Sequence, residues 1–205
     1  MSKKKPLIVF EGIEGSGKST LINHISSYLR KQNIKFIKLR EPGGNKNSEI
    51  IRKLILNKKN KFNKITDLML YSAARNENVE NVLKNNYKKK IILLDRFTDS
   101  TLAYQHFGMG INKSLINILN KFLIKNIKPT ITFLNIVNMK NLKLRLKKRK
   151  HKNRYDVFKT KFYKKVQNGY LKLSKNKSNY ILIDSNDKLK YNKKKVLDNI
   201  LKLIK

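Results

Sequence analysis

The sequence predicts an α/β fold in which a five-stranded parallel sheet carries helices on both faces. Short apolar runs, typical of buried strands, alternate along the chain with longer segments whose apolar residues recur at helical spacing. The first run, residues 7–10, ends in a glycine-rich turn that leads directly into a helical segment. With 205 residues and no internal repeat or linker-like stretch, the chain is predicted to form one domain, 1–205.

Five apolar runs are predicted to form the strands. The run at 91–95, Ile-Ile-Leu-Leu-Asp, is nearly continuous, which is typical of a central parallel strand. The run at 34–40 alternates and ends at a Pro-Gly-Gly turn. The predicted strands are 7–10, 34–40, 91–95, 130–136 and 180–183.

The helices are predicted from apolar residues spaced three and four apart. The helix after the first strand has Leu21, Ile25 and Leu29 on one face. A turn after residue 95 is predicted to open another helix, for which Asp99 is a candidate N-cap. In the helix at 48–56 the residues expected to face inward are Ile50, Ile51, Leu54 and Ile55. The other predicted helices are 65–85, 113–125, 139–149, 156–174 and 188–204.

The charge balance is extreme, with 49 Lys and Arg residues against 13 Asp and Glu, a formal net charge of +36. Such a surface attracts phosphate backbones, so a nucleic-acid binder is one interpretation. The other is a composition rich in lysine and asparagine, spread over solvated faces. Because the lysines are scattered and do not form one stripe with aromatic residues, the second interpretation is favoured and no specific nucleic acid is expected.

Several classes of protein and site are excluded by composition. The chain has no cysteine, so it forms no disulfide and no thiolate metal site, which is compatible with a cytoplasmic location. No run approaches the roughly 20 apolar residues that span a bilayer, so no membrane association is expected. The apolar start of the chain is cut short by Glu11, which favours a strand over a signal peptide.

The turn after the first strand is a complete phosphate-binding loop, Gly12-x4-Gly17-Lys18-Ser19, between a strand and a helix. The glycines allow backbone N–H groups to point inward, and the helix N-terminus favours an anion. Lys18 is predicted to reach the β- and γ-phosphates, and Ser19 to supply an oxygen to Mg²⁺. The alternative is a glycine turn that only joins two elements. The predicted ATP-binding residues are Gly12, Ile13, Glu14, Gly15, Ser16, Gly17, Lys18 and Ser19.

Two further polar clusters follow predicted strands, Arg40-Glu41 and Asp95-Arg96. Open α/β sheets bind ligands beyond the carboxyl ends of their strands, so both clusters are expected near the phosphate loop. Asp95 is predicted to hold Mg²⁺, with a helix cap as the alternative; the arginines suit an anionic acceptor. These are the parts of a phosphoryl-transfer site. For the cationic stretch 147–156, composition alone favours a solvated charge run, and the alternative is a mobile lid that folds over both ligands.

Four segments together resemble bacterial thymidylate kinase. The order and spacing match over essentially the whole chain, and the second and fourth segments are far more specific than a phosphate loop. The segments are Glu-Gly-Ile-Glu-Gly-Ser-Gly-Lys-Ser-Thr at 11–20, Arg-Glu-Pro-Gly-Gly at 40–44, Tyr-Ser-Ala-Ala-Arg at 71–75, and Asp-Arg-Phe-x-Asp-Ser-x-x-Ala-Tyr-Gln at 95–105.

The resemblance implies a nucleoside monophosphate kinase fold, transfer of phosphate from ATP to dTMP with Mg²⁺, and a homodimer. It implies that Tyr71 stacks on thymine, that Arg75 bonds the base, and that Tyr104 lies near the sugar and disfavours a 2′-hydroxyl. The dTMP-binding residues implied in this way are Glu11, Arg40, Tyr71, Arg75, Arg96, Ser100, Thr101 and Tyr104.

In one branch of this family the catalytic arginine lies in the phosphate loop, and in the other it comes from the lid. Loop positions 13–16 contain no arginine here, so the chain resembles the lid-arginine branch, with Arg149 and Arg154 as the candidate arms. The expected catalytic residues are therefore Lys18, Arg96, Arg149 and Arg154.

The chain departs from the family pattern in the lid, where Asn-Arg-Tyr-Asp at 153–156 replaces Asp-Arg-x-Glu, and at Asn135, where an acid is usual. Two alternatives stay open: a kinase for another nucleoside monophosphate, and a basic phosphate-loop protein that binds nucleic acid.

Overall fold

The sheet has five parallel strands in the order β2-β3-β1-β4-β5 in the computed structural model. The structure describes residues 4–150 and 153–204. The predicted fold class is confirmed, and each strand lies within about two residues of its predicted bounds. The strands are β1 Leu7–Gly12, β2 Phe36–Arg40, β3 Ile91–Asp95, β4 Ile131–Ile136 and β5 Tyr180–Asp184.

The strand register brings the functional segments of the sequence to one edge. Asp95, the last residue of β3, pairs with Phe10 of β1 and with Arg40 of β2. On the other side of β1, Gly12 pairs with Asn135 of β4. Because parallel strands all end at the same edge, the phosphate loop and both polar clusters meet there.

Helices cover both faces of this sheet. A π-helical segment, Val79–Leu83, joins α3 to α4, another, Leu102–Gly108, continues α5, and a 3₁₀ turn spans Arg154–Val157. Within residues 4–150 and 153–204, every helix is too short or too polar to cross a membrane. The α-helices are α1 Lys18–Lys31, α2 Lys46–Leu56, α3 Lys64–Asn78, α4 Lys84–Asn86, α5 Thr98–Thr101, α6 Lys113–Ile124, α7 Met139–Lys147, α8 Thr160–Ser174 and α9 Leu189–Ile204.

The central strand β1 is buried on both faces. Ile8 and Phe10 pack with residues of α1 and α9 in one layer, whereas Leu7 and Val9 pack with residues of the π-helical extension of α3 in the other. Successive side chains of a strand point to opposite faces, so a strand covered on both sides reads as a continuous apolar run.

The predicted inward face of α2 is wrong at two positions. Ile55 is buried as expected, but Ile50 and Leu54 are 55% and 45% exposed. The helix is instead turned so that Ser48 lies against α3, where its hydroxyl donates to the Ala74 carbonyl at 3.0 Å. The packing of two helices therefore overrides the apolar pattern of one.

Two further local predictions are corrected. Asp99 does not cap the helix after β3: it lies inside α5, and its carboxylate accepts from Lys177 and Tyr180. The capping carboxylate belongs to Glu11 of β1, which accepts from the backbone N–H of Phe97. The helix predicted at 156–174 is broken, because residues 158 and 159 are extended between the 3₁₀ turn and α8.

We expect Phe133→Ala to lower the free energy of unfolding by about 3–5 kcal/mol, because it leaves a cavity between the central strands. Phe133 is fully buried on β4, and its ring stacks on Phe10 with centroids 5.3 Å apart. Urea denaturation measures the change. Tyr191→Ala, which truncates a ring that is 58% exposed, is the matched control and should change stability by less than about 0.5 kcal/mol. Equal effects would contradict the assigned core.

Candidate active site

A cleft of about 730 Å³ lies at the carboxyl edge of the sheet. Its size is in the range of sites that hold small organic ligands. The phosphate loop lines one side, the ends of β2 and β3 line the middle, and α3, α5 and the segment after α7 line the rest. One cleft therefore has room for two ligands side by side, one of them at the loop.

The phosphate loop is held by a close approach between β1 and β4. At Gly12, with φ of +135°, an added Cβ would overlap the carbonyl oxygen of Asn135. The Asn135 amide donates to the Ser16 carbonyl at 3.2 Å, so β4 also fixes the far side of the loop. Arg145 of α7 donates to the Gly15 carbonyl at 2.9 Å. These contacts preform the loop.

Lys18 is folded back over the loop. Its ammonium group donates to the carbonyl oxygens of Gly12 and Ile13, at 2.8 and 2.9 Å. Burial, with the positive charge of Arg96, lowers the pKa of Lys18 to about 8. The ammonium group is therefore poorly compensated by the protein alone, and an anion in the loop would stabilise it.

Ser19 and Asp95 present oxygen atoms next to the loop. The Ser19 hydroxyl donates to Asp95 Oδ2 at 3.4 Å, and Asp95 Oδ1 is buried with no hydrogen-bond partner among the described residues. Mg²⁺ prefers such oxygen ligands, and it usually binds through one or two carboxylates plus phosphate oxygens. The residues present fit Mg²⁺.

Arg96 is fixed at the centre of the cleft. Its backbone has a φ of +69°, which is unusual for a residue with a side chain. Its backbone N–H donates to the carbonyl oxygen of Phe10 at 2.9 Å. The guanidinium group donates to Glu14 at 2.8 Å and to the Tyr170 hydroxyl at 3.1 Å. Its planar fork is thus preorganised toward the cleft, with Glu14 as an internal counter-charge.

Glu11 lies behind this group and not in the cleft. Its carboxylate accepts from the Ser100 hydroxyl at 2.6 Å, the Phe97 N–H at 2.8 Å and the Tyr170 hydroxyl at 3.0 Å. Burial raises the pKa of Glu11 to about 7. Glu11 is not among the residues that line the cleft, and the contact with the acceptor that the resemblance implies stays a prediction.

Arg75 ties the acceptor side of the cleft together. It is almost fully buried and donates to Glu41 and to Asn120, both at 2.7 Å, and to the Phe97 carbonyl at 3.1 Å. Burial raises the pKa of Glu41, and the neighbouring Arg75 charge opposes the rise. The guanidinium group thus links α3 to the loop after β2 and to the segment before α5.

The two lid arginines have different surroundings. Arg149 lines the cleft, is about half-exposed and pairs with the buried Asp156. Arg154 is not among the lining residues: it is largely buried and pairs with Asp67 of α3. Residues 151 and 152 of the predicted lid lie outside the described residues.

Most residues predicted for the site line the cleft. Gly12, Ile13 and Ser16 are buried within the loop, and only Glu11 and Arg154 lie elsewhere. The residues that the structure brings together are Glu14, Gly15, Gly17, Lys18, Ser19, Arg40, Tyr71, Arg75, Asp95, Arg96, Ser100, Thr101, Tyr104 and Arg149.

Several residues around the cleft were not predicted. Tyr170 of α8 contacts Arg96, but it lies 74 residues away in sequence and nothing local distinguishes it. Gln105 and Tyr155 line the cleft, and both stand inside or beside motifs that the sequence already offered. Arg145 lies one helical turn before Arg149, in the same basic segment.

The comparisons with known proteins agree with one another. A family model described as "Thymidylate kinase" matches residues 10–196. The thymidylate kinase of Thermosipho africanus is 39% identical over 199 residues, covering 97% of this chain and 94% of that protein. The thymidylate kinase of Clostridium novyi is 41% identical over 175 residues, or 83% and 85% of the two chains. The crystal structure of thymidylate kinase from Ehrlichia chaffeensis matches with a TM-score of 0.77 and 30% identity, covering 97% and 99%.

We expect binding of a nucleoside triphosphate at about pH 8.5 to take up a proton, because phosphates raise the lowered pKa of Lys18. Titration calorimetry in two buffers with different ionisation enthalpies measures the uptake. Lys18→Arg, which stays charged, is the control and should bind without it. Equal heats in both buffers for the unaltered protein would contradict the lowered pKa.

Proposed function

The chain belongs to the thymidylate kinase family, and on that premise we propose that its cleft transfers the γ-phosphoryl group of ATP to dTMP, giving ADP and dTDP. The observation that carries the proposal is the position of Asp95. Along the edge of the sheet, the end of β1 with the phosphate loop lies on one side of it and Arg40 of β2 lies on the other, while Arg96 follows it directly in the chain. A donor and an anionic acceptor held on either side of Asp95 would have their phosphates in line.

The loop and its neighbours hold the donor. The triphosphate replaces the two loop carbonyls as the partner of Lys18, and its negative charge compensates the buried ammonium group. Ser19 and Asp95 would hold Mg²⁺, which would supply positive charge to the phosphates of the donor. The family generally uses a divalent metal, and the unpartnered Asp95 oxygen supports Mg²⁺ at this position.

The arginines hold the acceptor phosphate, one oxygen of which attacks the γ-phosphorus as the bond to the β–γ bridging oxygen breaks. Arg96 is already oriented by Glu14 and Tyr170, so little rearrangement is needed. Arg40 is held by Glu49 at 2.8 Å. Ser100 and Thr101 line the same wall.

Tyr71, Arg75 and Tyr104 surround the acceptor base and sugar. Tyr71 offers an aromatic face for thymine, and Arg75 is buried beside it with its guanidinium fixed by Glu41 and Asn120. The Tyr104 hydroxyl donates to Glu14, which fixes its ring where a 2′-hydroxyl would enter. The combination favours a deoxyribonucleotide with a planar base.

The segment at 147–156 acts as the lid, and Arg149 supplies the arm that neutralises the transferring phosphoryl group. Arg149 lines the cleft and has solvent access, so it is able to leave Asp156 for a phosphate. Such a positive charge at the transferring group accelerates phosphoryl transfer.

The chain forms a homodimer through an exposed apolar face, and we place the dimer in the cytoplasm. Helices α2, α3 and α6 pack side by side, and each exposes apolar side chains to solvent. Contiguous apolar patches on a charged protein are typical of interfaces, and a self-complementary pair of copies is the commonest arrangement. The exposed residues are Ile50, Leu54, Ile65, Met69, Ile118 and Phe122.

In a coupled assay that measures ADP release from Mg-ATP, we expect a high rate with dTMP and a lower rate with dUMP. The rate should be negligible with dCMP, dGMP and the ribose form of TMP. Lys18→Ala should lower turnover by about 10² or more while the circular dichroism spectrum is unchanged. Turnover confined to another monophosphate would overturn the base-site assignment. Salt-sensitive binding to DNA or RNA without turnover would favour the nucleic-acid alternative.

We expect the unaltered protein to sediment at twice the chain mass of 24.1 kDa, and Phe122→Asp to sediment as a monomer. The phenyl ring is 75% exposed, so the substitution should not disturb the core. Tyr191→Asp, on α9, is the matched control and should leave the dimer intact. A monomeric unaltered protein would contradict the proposed interface.

A further inference from the structure

The 3₁₀ turn at Arg154–Val157 places an aromatic ring in the wall of the cleft. Tyr155 is 3% exposed and lines the cleft beside Tyr71 and Tyr104. Its ring meets each of them edge to face, with both centroids 6.1 Å away. Tyr71 belongs to α3 and Tyr104 to the extension of α5, whereas Tyr155 comes from the end of the lid. Three rings from three separate segments therefore form one aromatic corner.

The backbone of this turn is rigidly held. The Tyr155 N–H donates to the Asn153 side chain at 2.8 Å, and the Asn153 N–H donates to the Asp156 carboxylate at 2.8 Å. The Tyr163 hydroxyl of α8 donates to the Tyr155 carbonyl. Such reciprocal capping fixes the short turn. The backbone that carries the ring is thus fixed by contacts within the turn and to α8.

An ion pair fastens the turn to the acceptor side of the cleft. Arg154 donates to the Asp67 carboxylate and to the Tyr155 hydroxyl, the latter at 3.3 Å. Its guanidinium group lies over the rings of Tyr155 and Phe62. Asp67 precedes Tyr71 by four residues on α3, so the two share one face of the helix. Both charged groups are largely buried, which makes the pair less subject to solvent screening than a surface pair.

We propose that Tyr155 is a wall of the pocket for the acceptor base, and that the Arg154–Asp67 ion pair fixes the turn that carries it. This rests on the proposed function, because it assumes that the base lies against Tyr71. Arg154 is then a positioning residue, and of the two arginines only Arg149 reaches the transferring phosphoryl group.

The surroundings of the two arginines distinguish these roles. Arg149 faces the cleft, whereas the donors of Arg154 are directed to Asp67 and Tyr155 and its faces are covered by aromatic rings. Moving Arg154 to a phosphate would break the ion pair. It would leave Asp67 as a largely buried carboxylate with no compensating charge. Arg154 is therefore held by the ion pair and is not free to reach a phosphate.

The test compares Tyr155→Ala, Tyr155→Leu and Asp67→Asn with the controls Tyr191→Ala and Asp198→Asn, which change an exposed ring and an exposed carboxylate of α9. Calorimetry measures the Kd of dTMP alone and with a non-hydrolysable ATP analogue. Steady-state assays measure KM for each substrate and kcat. Tyr155→Leu keeps most of the apolar volume, so it provides a folded variant that lacks the ring and the hydroxyl that Arg154 contacts.

We expect Tyr155→Ala to raise the Kd and KM of dTMP by about tenfold, Tyr155→Leu by about threefold, and both to leave the KM of ATP within about twofold. Asp67→Asn should raise the Kd of dTMP and reduce the gain in dTMP affinity that the ATP analogue gives. Unchanged dTMP affinity in the Tyr155 variants, or a loss confined to kcat in Asp67→Asn, would overturn the proposal. Failure of the unaltered protein to phosphorylate dTMP would instead refute the proposed function.

Discussion

The geometry of the cleft depends on the buried carboxylate of Glu11. A carboxylate inside a protein is costly unless donors surround it, and here the donors are the start of α5 and the Tyr170 hydroxyl of α8. The contact ties the central strand to two helices at one point. Arg96 directly precedes Phe97, and Tyr104 follows Ser100 by about one helical turn, so their positions follow from the same contact. A residue outside the cleft thereby determines the arrangement of those inside it.

Local patterns in the sequence predicted the strands, the phosphate loop and the polar residues at the strand ends, because each depends on residues that are close together along the chain. The residues for the base and sugar, Tyr71, Arg75 and Tyr104, came instead from the family resemblance. The role of Glu11 depends on Phe97 and Tyr170, which are 86 and 159 residues away, and no local pattern contains that information. The same limit explains Ile50 and Leu54, since the face that α2 buries is chosen by α3. The charge of 147–156 alone favours a solvated run, and only the family resemblance indicates a lid there. Arg149 and Arg154 differ in the residues that the fold places opposite them.

Arginine and lysine have separate places in this protein. The sequence contains eight arginines and 41 lysines. Six arginines line the cleft, compared with two lysines, Lys18 and Lys148. The acidic residues are also concentrated at the arginines: five of the 13 form ion pairs with arginines in or beside the cleft. A planar fork binds phosphate and carboxylate with two parallel hydrogen bonds, which an ammonium group does not reproduce. The distribution separates charge that functions in the site from charge that reflects composition.

The lysine-rich surface has a kinetic consequence even if no lysine outside the cleft contacts a substrate. A formal charge of +36 surrounds the cleft with a positive potential that draws anionic nucleotides inward and accelerates encounter, over a range that salt shortens to about 8 Å under physiological conditions. Phosphoryl transfer leaves the total charge of the two nucleotides unchanged, so the same potential slows the escape of the products. The positive potential therefore raises the rate only when substrate is scarce. At saturating substrate it slows the release of the products from the cleft.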